Sequence, residues 1–314
     1  MAADRKPEPH PRIDDFLDTP IVELSLEELP SFWRTTRVTI DFDRPADLEG
    51  GMRLPAAIRG ALGEPLRAIA ERDTGHPLGS LFHVMFADHC MFAERWHVPK
   101  PFVIWVREGA EQIRVEISLF GEAGCFREQL IEAVLRVMTP VAKGGEGGIS
   151  LMNGRRTRRI WPLRDLFWQE SGQYLPPPLR RRFILSSLTP FGLSNQQTVR
   201  HSQTQLIASI FKRIAGLARW HRVQMERDLS FSRIDELVRE IEVYPLLEPC
   251  LSSVSRRSRS FQTKERVQTG FSASLKVNAF PPELWPGFVL GTLTHAGYDV
   301  PQGYGRYEIG VPWS

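Results

Sequence analysis

The stretch that decides the fold runs from Gly287 to Ile309: Gly287-Phe-Val-Leu-Gly-Thr-Leu-Thr-His295-Ala-Gly-Tyr-Asp-Val-Pro-Gln-Gly303-Tyr-Gly-Arg306-Tyr-Glu-Ile309. An apolar run, read here as a strand, feeds a loop with Gly297, Gly303 and Gly305, and a second apolar strand begins at Tyr307. The loop carries His295, Tyr298, Tyr304 and Arg306. Glycine lets a backbone adopt positive φ and come close to a ligand, and successive N–H groups in such a turn form an anion-binding concavity. With an arginine and two tyrosines alongside, the ligand chemistry expected is a phosphodiester with a base to stack.

Working outward, the pattern before this loop alternates between strands and helices. Thr35–Asp43 is a strand by its polar and β-branched alternation. Leu54, Ile58, Leu62, Leu66 and Ile69 share one helix face, with Pro55 in the first turn and Pro65 expected to kink the helix. Pro101–Val106 and Gln112–Phe120 are strands, and Phe126–Met138 is an amphipathic helix. Tyr174–Pro178 is the best linker. After it come a strand at Arg182–Leu188, a helix at Gln205–Trp220 and strands at Arg266–Val277 and Gly287–Leu293. The expected fold class is therefore α+β, with two tandem ferredoxin-like (RRM-like) domains and a glycine-rich loop near the C-terminus. The boundaries are an extension at 1–34, a first domain at 35–172 and a second at 180–314.

Composition narrows the class. The chain has 314 residues and 42% hydrophobic content, enough for buried cores. Lys+Arg is 40 against 37 Asp+Glu, so the distribution of charge is more informative than the sum. Acids crowd the front, at Asp14, Asp15, Asp18, Glu23, Glu27, Glu28, Asp41 and Asp43. Arginine clusters follow: Arg155, Arg156, Arg158 and Arg159; Arg180–Arg182; Lys212, Arg213, Arg219 and Arg222; Arg256, Arg257 and Arg259. Arginine binds phosphate bidentately and stacks on bases, so this distribution points to RNA or DNA. The three cysteines are scattered, as in a reduced cytoplasmic protein. The N-terminus lacks the apolar core of a signal peptide and reads as a polar tail, and no apolar run is long enough to span a membrane.

Four segments resemble one family, the CRISPR precursor-RNA processing endoribonucleases of the RAMP superfamily (Cas-six-like). The first is Arg53-Leu-Pro-Ala-Ala-Ile-Arg-Gly-Ala-Leu-Gly-Glu-Pro-Leu-Arg67, similar to that family's first helix. The second is Lys100–Ile104 followed by Ile117–Ala123. The third is Leu188-Thr-Pro190 with the helix segment Arg213–Leu217. The fourth is Arg257–Gln262, Gly287–Gly291 and the His295-to-Arg306 loop. The resemblance implies two ferredoxin-like domains, metal-independent cleavage of a CRISPR repeat hairpin, retention of the product, and partnership with other subunits of a CRISPR ribonucleoprotein. An arginine-rich, histidine-poor site resembles the type IV version.

Metal-independent cleavage needs the 2′-OH to attack the adjacent phosphate, with proton transfer and stabilisation of a dianionic transition state. The family often uses a histidine near the first helix, but no histidine lies between Thr35 and His76 here. Arg44, Arg53, Arg59 and Arg67 occupy that stretch. Arginine stays protonated, so it can orient the hydroxyl and neutralise charge but cannot act as an ordinary base. Arg44, Arg59 and Arg53, with Arg306, are the expected catalytic set; a solvated helix face is the alternative for Arg59 and Arg67. His295 is expected to contact RNA, with acid, base or loop brace as its roles, and Tyr304, like Tyr298, to stack a base or fill the β-face. The arginine clusters and Lys212 are expected to grip phosphates of a hairpin, an ordinary charged surface being the alternative. His83, His89, Cys90 and His97 match no zinc spacing, so no metal and no cofactor is expected. Lys143–Gly148 is not a P-loop, and no GxSxG, HExxH or paired-carboxylate motif occurs. A non-cleaving RNA-binding subunit of a CRISPR effector is the second reading; an unrelated basic α+β RNA-binding protein is the third.

Overall fold

A computed structural model describes residues 11–43, 53–73, 75–93, 96–138, 156–162, 182–192, 202–225, 231–246, 250–257, 265–297 and 300–310. The expected linker at 174–178 and the glycine run at 143–148 lie outside these residues. Among the described residues no helix is long and apolar enough to cross a membrane.

The chain opens with helix α1 (Pro11–Asp18), strand β1 (Val22–Leu24) and a single turn, α2 (Leu29–Phe32). The first half proper begins at β2 (Arg34–Asp43), followed by α3 (Arg53–Ala61), α4 (Gly63–Arg72) and α5 (Leu81–Phe86). A small hairpin of β3 (Met91–Ala93) and β4 (Trp96–His97) leads to β5 (Phe102–Glu108), β6 (Gln112–Phe120), α6 (Arg127–Met138) and β7 (Arg156–Pro162). The four long strands form one antiparallel sheet in the order β5-β6-β2-β7. Alternation places Val38, Ile40, Ile113, Val115, Ile117 and Leu119 in the core. The helical residues Leu54, Ile58, Leu62, Leu66 and Ile69 are buried as their spacing requires. Pro65 breaks nothing, because α4 restarts at Gly63 and places the proline in a first turn, where an N–H has no intrahelical partner.

The second half contains β8 (Phe183–Ser187), β9 (Phe191–Gly192), α7 (Ser202–Ala218), β10 (Val223–Met225), α8 (Phe231–Arg239) and β11 (Glu242–Pro245). It continues with β12 (Cys250–Arg257), β13 (Glu265–Ser272), β14 (Ser274–Ala279), α9 (Trp285–Thr294) and β15 (Tyr307–Gly310). Its main sheet runs β11-β14-β8-β15, so if strands are numbered in chain order within each sheet, both sheets have the order 2-3-1-4. The β12–β13 hairpin, joined by β9, forms a separate three-stranded sheet.

Two expectations change. Gly287–Leu293 lies in helix α9, not in a strand. An apolar run of this length carries no period that separates a buried strand from a helix buried on most sides. Pro286 in the first turn favours the helix, and Gly287 and Gly291 let it pack tightly: a Cβ at Gly287 would sit 2.4 Å from Phe211, and one at Gly291 1.9 Å from the Tyr307 hydroxyl. Arg266–Val277 is two strands, β13 and β14, in different sheets.

The N-terminal segment is also not a loose tail from residue 11 onward. Ile13, Leu17, Leu24, Leu26, Leu29 and Trp33 are buried, and β1 pairs in parallel with β10. Trp33 stacks on His221 with ring centroids 4.3 Å apart, and Trp220 Nε1 donates to the Pro99 carbonyl at 3.0 Å. His221 lies between the Leu217 and Arg34 carbonyls, and His89 beside the Val84 carbonyl. Burial pushes both imidazoles down to a pKa of about 4.

The two halves meet backbone to backbone at Gly121, whose φ is +59° and whose added Cβ would lie 2.2 Å from the Trp220 carbonyl oxygen. Gly121→Ala is therefore expected to destabilise the protein by about 2–4 kcal/mol in denaturant melts. Gly60→Ala, where an added Cβ meets nothing within 4 Å, should be neutral or stabilise by up to about 1 kcal/mol. Equal effects of the two would contradict this packing.

Candidate nucleic-acid interface

Helix α9 ends where His295 adopts φ 60°, its N–H donating to the Gly291 carbonyl at 2.8 Å. Gly297, Gly303 and Gly305 follow with φ of 84°, 93° and 79°. The reason is close packing: a Cβ at Gly305 would fall 1.7 Å from the Ala296 oxygen. A Cβ at Gly303 would fall 2.6 Å from Pro55 of α3. The loop thus docks on the first helix of the opposite half.

The amide donors of Ala296, Gly297, Gly303, Gly305 and Arg306 are engaged inward. Gly297 N–H donates to Ser209 Oγ at 3.0 Å, and Arg306 N–H to Thr189 Oγ1 at 2.9 Å. Ala296, Gly303 and Gly305 donate to the carbonyls of Gly305, Val300 and Pro190. The expected anion-binding concavity is therefore corrected: these N–H groups hold the loop's own shape. Tyr298 lies outside the described residues.

His295 and Tyr304 are each 2% exposed, which takes both out of direct contact with RNA in this conformation and makes them loop braces. Burial, then the nearby charges of Arg306 and Arg213, hold the His295 imidazole well below its ordinary pKa, so it is neutral. The loop turns its cation, not its histidine, toward the opposite half. Arg306 Cζ stands 3.5 Å from the centroid of the Trp105 ring on β5, and Arg107 Cζ 4.9 Å from the same ring.

On the first-half side, α3 presents Arg59, half-buried, with Cζ 5.0 Å from the Phe86 ring of α5. Arg67 of α4 lies similarly over Phe82 at 5.2 Å. A cation held over an aromatic face is oriented by the ring's quadrupole. Arg53 begins α3, and Arg44 lies outside the described residues. The structure therefore brings Arg59, on the loop-docking helix, into the same region as the glycine loop with Arg306. Arg37, 3.8 Å from Glu116, stands close enough to act on His295.

The basic face expected on α7 is largely occupied by the protein itself. Arg213 is 9% exposed, and its guanidinium donates to the carbonyls of Thr294 at 2.7 Å, Lys100 at 3.4 Å and Phe102 at 3.5 Å. It is a buried link between the halves, not a phosphate grip. Burial pushes its pKa down to about 9, which still leaves it charged at neutral pH. Lys212 pairs with Asp235 of α8 at 2.7 Å. Arg219 donates to the Leu17 carbonyl at 3.5 Å and Arg222 to that of Thr19 at 3.2 Å, both just where α1 ends. Cations suit that end of a helix dipole.

Arg156, Arg158 and Arg159 lie in β7, paired with Ile40, Val38 and Arg37. Arg256 and Arg257 lie in β12, opposite Arg266 and Glu265. Arg155 and Arg259 are outside the described residues. Among the histidines and cysteine once weighed as ligands, His83 faces Ser80 Oγ, His97 the His89 carbonyl, and the Cys90 N–H donates to Asp14.

The reading of the sequence missed Trp105 and Arg37. A signal for Trp105 was present: residues 105 and 107 fall on one face of β5, so a tryptophan and an arginine share it.

No family model matches the chain, and no curated protein matches it. Solved structures do. A Cas6 product complex superposes with TM-score 0.53 at 13% identity, covering 88% of this chain and 99% of its own. Cas6 of Thermus thermophilus gives 0.50 at 14% identity, covering 88% and 98%. A partial Cas6-RT-Cas1–Cas2 complex gives 0.50 at 12% identity, with 91% of this chain matched to 47% of that one. At such identities the likeness is one of fold, and it extends through both halves.

Two outcomes follow for the buried charges. Arg213→Met should cost about 3–5 kcal/mol, because three carbonyls across the seam lose their donor, and thermal melts measure it. His89, His221 and His295 all have folded pKa values depressed below 6.5. The unfolded chain takes up protons that the folded one refuses, so their contribution is present above pH 6.5 and is lost as pH falls. Stability should drop by about 1.4 kcal/mol per histidine per pH unit between about pH 6 and 4. Denaturant titrations across this range should show that slope fall when His221 is replaced by Asn; an unchanged slope would count against a neutral buried His221.

Proposed function

We propose that this protein is an RNA-processing endoribonuclease that cuts CRISPR repeat RNA without a metal and keeps the product hairpin. The observation that carries the reading is the docking of the second half's glycine loop on α3 of the first. This arrangement sits within a fold that superposes on Cas6 structures along nearly the whole chain. The inference from fold to activity is an analogy; the arginines near that contact give it chemistry. Each half, 35–172 and 180–314, is proposed as a ferredoxin-like RAMP domain. The repeated 2-3-1-4 strand order supports this.

In the proposed reaction the 2′-hydroxyl gives its proton to solvent water as its oxygen bonds to the adjacent phosphorus, and the P–O5′ bond breaks with the 5′-oxygen taking a proton from water, giving a 2′,3′-cyclic phosphate and a 5′-hydroxyl. In this proposal Arg59, whose Cζ lies 5.0 Å from the Phe86 ring centroid, binds the phosphate and stabilises its added charge, with Arg53 and Arg44 assisting. Arg306 contacts the RNA from the opposite half. The absence of a histidine from the first-helix segment favours the type IV version of the family. Retention of the product would make the protein a subunit of a CRISPR ribonucleoprotein. The second reading, a non-catalytic RNA-binding subunit, is favoured by that same missing histidine.

Incubation with a repeat hairpin RNA in EDTA separates the two. Cleavage is expected, and Arg59→Ala should slow it about 10²-fold or more while the RNA still binds. Binding without cleavage by the unaltered protein would select the non-catalytic reading. Full activity of Arg59→Ala would remove that arginine from the site.

A further inference from the structure

Trp105 and Arg306 do not behave as the rest of the seam does. His295, Tyr304 and Tyr307 of the same loop region are buried, whereas Trp105 and Arg306 both keep part of their surface in solvent. The Arg306 Cζ lies 3.5 Å from the ring centroid, the spacing of a plane laid on a plane. Its main chain is fixed on both sides. The N–H donates to Thr189 Oγ1, and the carbonyl accepts from the amides of Leu188 and Thr189 at 2.8 and 3.2 Å. The main chain that carries the guanidinium to the indole is thus hydrogen-bonded on both sides.

The surroundings carry more cations than anions: Arg37 stands 3.8 Å from Glu116 and Arg114 2.7 Å from Asp41, and Arg107 and Arg306 both lie over the indole. Arg107 reaches the same ring, and Trp105 sits opposite Glu116 in the register, with Arg37 beside that glutamate. Cross-strand neighbours on this side of the sheet, Arg114, Glu116 and Thr39, are polar and partly or fully exposed, unlike the apolar residues that alternate with them. An aromatic on a four-stranded sheet, capped by an arginine plane among further arginines, matches a nucleobase flanked by phosphates.

We infer that the Trp105–Arg306 stack is the platform for one unpaired nucleobase of bound RNA. The inference rests on the RNA-binding reading above and deepens it. The base is unpaired because bases inside a stem are already stacked and paired, so the platform reads single-stranded RNA next to a hairpin. In this assignment Arg306 holds substrate and is not part of the charge-stabilising set on α3.

The test uses the full chain and stem-loop RNAs that carry unpaired flanks, with 2-aminopurine placed at one flank position at a time. Stacking quenches that fluorophore. The protein should quench one position strongly, and Arg306→Lys, which keeps the charge but loses the plane, should abolish the quench. Trp105→Ala should do the same, and Trp105→Phe should retain part of it. Affinity for the flanked RNA should fall about tenfold or more in Arg306→Lys, and by a larger factor than affinity for the bare stem-loop. Arg306→Lys decides the matter even where Trp105→Ala fails to fold. Quenching at no position despite binding, or the same quench in Arg306→Lys, overturns the platform and leaves the RNA-binding reading standing. No binding of any stem-loop by the unaltered protein overturns both.

Discussion

One buried guanidinium ties the molecule together. Arg213 sits in α7 of the second half, yet it bonds to the carbonyls of Lys100 and Phe102 at the start of β5 and of Thr294 at the end of α9. A cation at the carboxyl end of a helix satisfies orphan carbonyls and opposes the dipole. Among the described residues its hydrogen-bond partners are carbonyl oxygens, with no carboxylate, so its charge is compensated by main-chain dipoles from both halves. That makes the seam specific: β5 and the segment after α9 must arrive together. The glycine loop is then delivered against α3, and Arg306 against Trp105.

The N-terminal extension reinforces the same seam from the other side. Trp33 covers His221, β1 extends from β10, and the carbonyls at the end of α1 receive Arg219 and Arg222. His89 and His221 are buried and neutral around these contacts, and His295 at the end of α9, so acid should loosen the assembly. Lys212, Arg213, Arg219 and Arg222, at least, each bond to another segment of the protein.

How far the sequence revealed this follows from the physics of each signal. The core faces of α3, α4, α6 and α7 were legible because each shows one apolar side at helical spacing. β2, β5 and β6 were legible from β-branched alternation. Helix α9 was not, since an apolar run without polar interruptions has no period to read. Arg213 was misplaced because a charged residue on a helix is ordinarily exposed; only the three-dimensional meeting of distant carbonyls gives it a buried place. The glycines of the closing loop were recognised as close-approach positions, but what approaches is Pro55 and Ala296, not a phosphate. The pairing of Trp105 with Arg306 joins positions two hundred residues apart, which no local pattern encodes. Arg59 and Arg306 were named from the sequence, and the structure gives each an aromatic base on which to lie.

The proposed chemistry has a single obligatory participant that the protein does not supply, the ribose 2′-hydroxyl. The most direct measurement is cleavage of a repeat hairpin in EDTA with that hydroxyl replaced by hydrogen at the one nucleotide preceding the mapped cut. The expected result is unchanged binding, no cleavage at that phosphate, and a 2′,3′-cyclic end from the all-ribose RNA. Cleavage of the 2′-deoxy substrate at the same phosphate would contradict the mechanism.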